Sequence, residues 1–212
     1  MKKNTEPFEA LSEIRSMMER STRFISLNGL SGVFAGIFAL IGASAVYAYL
    51  NAGGSRLLYY ENAWLNNGSV NYSFYIFIFL DAFLVLFASI VVAISLSMRK
   101  AKKHGRNLWE PSTKRLIVNM LIPLTAGGLF CLALIFHGLV GFVAPSTLLF
   151  YGLALVNASK YTYNDIRYLG LIEIGLGLLS AIWIGYGLFF WAIGFGLLHI
   201  VYGTLMYFKY ER

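Results

Sequence analysis

Six long apolar runs, separated by short polar segments, set the pattern of this 212-residue chain. Gly29–Leu50 carries no charge, Phe74–Met98 carries one (Asp81), and Leu116–Phe136 carries none. Val140–Val156 is shorter and holds Pro145, Tyr168–Ile184 holds Glu173, and Leu188–Phe208 holds only His199. An α-helix rises about 1.5 Å per residue, so about 20 apolar residues cross a hydrocarbon core of roughly 30 Å. The expected fold class is therefore all-α: a polytopic membrane protein of six transmembrane helices in three hairpins. Residues 1–28 read as a cytoplasmic amphipathic segment, 29–208 as the transmembrane domain and 209–212 as a cytoplasmic tail. A cleaved signal peptide fits the amino terminus poorly, because the first apolar run starts late and follows a charged segment.

Between residues 5 and 27, Leu11, Ile14, Met18 and Ile25 recur at helical spacing, with Glu9, Glu13 and Arg20 on other faces. Thr5 and Pro7 suit a helix start. Such a helix lies on the bilayer surface or docks a soluble cytoplasmic partner. Residues 51–71 form the one long outer segment; Asn67-Gly-Ser and Asn71-Tyr-Ser match the glycosylation triplet, a pattern too short to be specific. Trp64, Trp183, Tyr186 and Trp191 group toward the outer side as interfacial anchors. GIFALIG (36–42), GLFCLAL (128–134) and GLLSAIW (177–183) share glycine and small-residue spacing in the first helix of each hairpin, as a threefold repeat would.

Composition agrees: 58% of residues are hydrophobic and 13% charged, about half the charged share of an ordinary soluble domain. The net charge of +7 is placed unevenly. Segments 1–28, 99–115, 158–167 and 209–212 hold all the lysines and arginines except Arg56. That bias puts both termini in the cytoplasm. It also makes the RKAKKHGR run (99–106) a topology signal, with anionic lipid as a further contact, and removes any need for a nucleic-acid partner. The bilayer is the expected partner. Cys131, the sole cysteine, cannot form an internal disulfide and reads as packing.

Glu173 and His199 are the polar residues hardest to place in oil. A charge at mid-membrane costs at least a few kcal/mol. The turn between the last two runs centres on Tyr186, with Glu173 thirteen residues before it and His199 thirteen after. Antiparallel helices bring such residues to one depth, about 20 Å below the turn. Gly170, Glu173, Gly177, Ser180 and Ala181 share a stripe on the fifth helix, and Ala192, Gly196, His199 and Gly203 on the sixth. Apposed small-residue stripes would pack these two helices together, Gly170 beside Gly203 and Gly177 beside Gly196, with the acid and the histidine enclosed. Such a pair either fixes helix register or forms a proton or substrate site.

Asp81 and His137 lie toward the outer face, and Asp81 joins the intramembrane polar site as a candidate. Pro123 cannot bond back to the carbonyl of Asn119, so a kink is expected there, with Asn119 and Pro123 as a possible pocket. No HExxH, HxxxH, GxSxG or phosphate-loop motif is present, and the three histidines lack metal-ligand spacing. No catalytic residue, metal or cofactor is assigned. Residues ERSTRFISLNGLSGVFAGIFALIGA (19–43) resemble the start of uncharacterised bacterial inner-membrane proteins of similar size. The resemblance implies a bacterial inner membrane and brings no activity with it. Two functions are expected from different classes: a small proton-linked transporter or channel-like protein using Glu173 and His199, or a regulatory membrane protein whose first helix and basic loop bind a cytoplasmic partner.

Overall fold

A computed structural model describes residues 28–52, 59–103, 109 and 111–212. The helix expected over residues 5–27 and the tip of the basic loop lie outside the described residues. Six helices follow the six apolar runs: α1 (Gly29–Ala52), α2 (Tyr72–Lys103), α3 (Pro111–Phe136), α4 (Val143–Ala158), α5 (Asp165–Ile182) and α6 (Gly187–Tyr210). No strand occurs among the described residues. Five spans are long and apolar enough to cross a membrane. The exception is α5, 18 residues long and carrying Asp165, Arg167 and Glu173.

Local chemistry sets several helix limits. Asn28 caps α1, its side-chain oxygen accepting the Leu30 N–H at 2.9 Å. Pro145 falls in the first turn of α4, where its missing N–H costs nothing. α6 is not one uniform α-helix. Between Gly187–Trp191 and His199–Tyr210 it widens into a π-helical turn, Ala192–Leu198.

Consecutive helices alternate in direction. At one end, Glu211, just past α6, accepts the Gly29 N–H and pairs with Lys100 of α2 at 3.1 Å. At the same end Lys209 of α6 pairs with Asp165 of α5 at 2.9 Å. At the other end Tyr59 donates its hydroxyl to the Gly141 carbonyl at 2.9 Å.

The helices pack as hairpins in two of the three expected cases, α1 with α2 and α3 with α4, whereas α5 and α6 meet each other only sparsely. They form two groups of three, α1 with α2 and α6, and α3 with α4 and α5. Glycines set this grouping. A Cβ on Gly32 would lie 3.2 Å from the Gly203 Cα, and one on Gly36 would lie 2.5 Å from the Gly196 carbonyl oxygen. These positions bring α1 and α6 to backbone contact. In the other group, a Cβ on Gly170 would lie 2.7 Å from the Gly152 carbonyl oxygen, and one on Gly177 would lie 2.8 Å from the Leu149 nitrogen. Thus Gly170 and Gly177 of α5 face α4, and Gly196 and Gly203 of α6 face α1. The expected pairing of Gly170 with Gly203 and Gly177 with Gly196 is incorrect. Both stripes are close-packing surfaces, but each is used against a different neighbour.

Apolar side chains cover much of the outside. α2 lies along α1 and exposes Ile76, Phe83, Leu86 and Phe87, among others. A contiguous apolar surface of this extent is what lipid, not water, would solvate.

Candidate functional site

Although α5 and α6 are parts of different groups, Glu173 and His199 meet. His199 Nδ1 lies 3.6 Å from Glu173 Oε1, and the glutamate is 0% exposed. The depth count about Tyr186 therefore places the pair correctly, even though the glycine interface invoked to enclose it does not exist. The acid and the histidine lie on the seam between the two groups.

The histidine is held from both sides. Nδ1 is 2.9 Å from the Gly194 carbonyl oxygen, which can only accept, so Nδ1 carries a hydrogen. Nε2 is 2.7 Å from the Tyr151 hydroxyl of α4. With neutral imidazole, Tyr151 donates to Nε2; with imidazolium, Nε2–H donates to the phenol oxygen instead. Only the hydroxyl hydrogen has to turn. The rings of Tyr151 and Phe195 flank the imidazole, with centroids 5.4 and 6.0 Å from it.

Glu173 is satisfied far less well. Neither carboxyl oxygen makes a hydrogen bond, and Ser180, two turns along the same stripe of α5, is equally buried with an unpartnered hydroxyl. Leaving a buried polar group unpartnered costs about 1–3 kcal/mol, more if charged. Gly194 makes room for the carboxyl group: any Cβ there would collide with Glu173 Oε2 and the Leu148 side chain. The π turn thus supplies both the space for Glu173 and the carbonyl that orients His199. Single π turns of this kind recur where a helix serves function rather than length.

The other candidates lie elsewhere. Asp81 is half-buried on the α1–α2 contact, its carboxyl oxygen 3.0 Å from where a Gly42 Cβ would stand. It belongs to the first group's interior contact and does not join Glu173. His137 sits at the end of α3 with its ring edge-on to Phe136 at 5.4 Å. The Asn119 carbonyl freed by Pro123 accepts the Asn157 side-chain amide at 2.8 Å, while the Asn119 amide donates to the Arg115 carbonyl at 2.8 Å. Asn119 and Pro123 therefore take part in an α3–α4 cross-link, with the freed group already occupied. Among the described residues no group of three His, Cys, Asp or Glu side chains could hold a metal ion.

Tyr151 is the member that sequence reading missed. The same counting finds it: Tyr151 lies eleven residues before Thr162, in the α4–α5 connection, and Glu173 lies eleven after. A groove of about 690 Å³ opens at the Tyr59 end of the bundle between α1 and α6, lined mainly by apolar side chains such as Leu40, Leu50, Leu188 and Ala192. Glu173 and His199 do not line it. No protein family, curated protein or solved structure matches the chain.

Proposed function

We propose that this chain is a small proton-linked membrane transporter, with Glu173, His199 and Tyr151 as its proton-handling centre. The observation that carries this reading is placement: a buried acid without a hydrogen bond and the hydrogen-bonded histidine beside it sit on the seam between two glycine-packed helix groups. Intramembrane acids and histidines mark proton pathways and substrate sites. Transporters commonly work by rocking one bundle against another around a central site.

The chemistry fits the position. Carboxylate with imidazolium and carboxylic acid with imidazole are both neutral pairs, so the site can hold its proton on either residue with the same net charge. On the histidine that proton sits at Nε2, facing Tyr151, because Nδ1 keeps the hydrogen it gives to Gly194. Gly194 and Tyr151 hold the ring through either state. The bilayer is the surrounding partner, and a bacterial inner membrane with both termini cytoplasmic is the setting. The lysines and arginines of the described segments, at the Lys100–Glu211 and Asp165–Lys209 end, support that orientation.

The test is proton flux in proteoliposomes under an imposed pH gradient, across classes of solute. Wild type is expected to carry flux, and Glu173→Gln to abolish it while remaining folded and monodisperse. Flux undiminished in Glu173→Gln, or none in wild type, would overturn the reading. A soluble protein that co-purifies and is lost on removing residues 1–27 would favour a regulatory role instead.

A further inference from the structure

The seam continues past the site toward the basic end, and its composition changes in steps. His199, Tyr202, Met206 and Tyr210 follow one another on α6 at spacings of three and four, on one face. Beside Tyr202, the buried side chains of Leu155 (α4), Ile166 and Leu169 (α5) and Met206 (α6) form one apolar cluster, with Tyr151, Tyr163 and Tyr202 packed around it. Beyond it come polar contacts that again join α5 to α6. Asp165 accepts from Lys209 Nζ at 2.9 Å and from the Tyr210 hydroxyl at 2.6 Å, and Tyr163 stacks on Tyr210 at 4.1 Å between centroids. Site, apolar layer and ion pair are stacked in that order. From Ile166 to Glu173 is seven residues, a depth of roughly 10 Å.

We propose that this seam between α4, α5 and α6 is the route by which the Glu173–His199 site opens to the basic side. In this conformation one layer, Leu155, Ile166, Leu169 and Met206, closes it, and the Asp165–Lys209–Tyr210 contacts latch it shut. Three features support the assignment. Both sets of contacts bridge the two helix groups, so separating the groups breaks both. The layer is one buried side chain thick along α4 and α6 and one helical turn thick along α5, so a small separation wets it. Tyrosine hydroxyls border the layer on both sides and can hydrogen-bond water once it opens. The inference rests on the transporter reading for its purpose, but its geometry is tested without any flux.

The experiment is cysteine accessibility in membrane vesicles of known orientation. In a Cys131→Ala background, Met206→Cys is expected to react slowly with a membrane-impermeant thiol reagent. Adding Asp165→Asn is expected to raise that rate about fivefold, the scale of an exposed ion pair, and only with reagent on the basic side. Lys209→Gln should act alike, and Leu169→Cys reports from the opposite wall if Met206→Cys misfolds. Rates that ignore both latch variants, or that rise with reagent on the other side, would overturn the proposal. Lost flux in Glu173→Gln with unchanged labelling would reject the route and keep the transporter; the converse would keep the route and reject the transporter.

Discussion

The α1–α6 contact and the α5–α6 seam join their helices by opposite means. Along α1–α6, Gly32, Gly36, Gly196 and Gly203 let two backbones touch. Along the seam, larger side chains meet: Glu173 with His199, Tyr151 of α4 with Phe195, and Asp165 with Lys209, while Leu169 and Met206 share one apolar cluster. Backbone contact in lipid is rigid, because any separation leaves a void that no side chain fills. A seam of side chains and one exposed ion pair can separate and re-form by rotamer changes. Gly194 marks the difference: it faces the Glu173 carboxyl group and Leu148 rather than another backbone.

The comparison is sharpest where a glycine is filled. Gly203→Leu would drive its side chain into the α1 backbone, since even a Cβ lies 2.6 Å from the Val33 nitrogen. A stability loss of about 3 kcal/mol or more is expected, the upper range for overpacking. Gly175 has nothing within 4 Å of its Cβ position, so Gly175→Ala is the control and should hold or raise thermal stability in detergent. Equal losses at the two positions would break the distinction between packed and open glycines. Gly194→Ala comes next, at about 1–2 kcal/mol. It should displace the Glu173 carboxyl and lower proton flux more than its stability loss explains.

Glu173→Gln should move stability by less than about 1 kcal/mol, because the amide replaces an acid that already lacks hydrogen-bond partners. A large loss would mean that Glu173 holds the seam together. The smallest effect concerns Asp165. Its hydrogen bond from Tyr210, and then Lys209, hold its carboxyl below the usual carboxylate range. A folded-state value below the unfolded one means the stabilisation is complete above the unfolded value and is lost as pH falls through the folded one. Melting temperature compared at pH 7 and pH 3 should therefore fall more in wild type than in Asp165→Asn, other carboxyl groups being common to both. Parallel profiles would show that the latch contributes nothing.

Much of this was legible in the chain because membrane helices are long and hairpin depth is a matter of counting. The six runs gave the six helices to within a few residues at most ends, and counting about Tyr186 paired Glu173 with His199. Applied to Thr162, the same count would have added Tyr151. The facing of the helices was not legible. A glycine stripe on α5 fits α4 or α6 equally well, since it states only that some backbone comes close. The π turn adds a second obstacle: a wider turn between Ala192 and Leu198 spreads residues further round the axis, so Gly196 and His199 take different neighbours despite their spacing of three. Asp81 and Asn119 show the limit of residue type alone. By residue type each is a candidate site residue, and each lies in a contact within one helix group.

The most direct test of two rigid groups about a mobile seam is a pair of spin-label distance distributions measured by double electron–electron resonance in lipid nanodiscs. Labels on Tyr168 of α5 and Phe208 of α6, both exposed, span the seam near the basic end. Labels on Tyr168 and the exposed Leu153 of α4 stay within one group. The cross-seam pair is expected to give two populations whose ratio shifts with pH in wild type and not in Glu173→Gln, with one narrow population for the pair within the group. A single narrow, pH-independent distance across the seam would contradict the central claim.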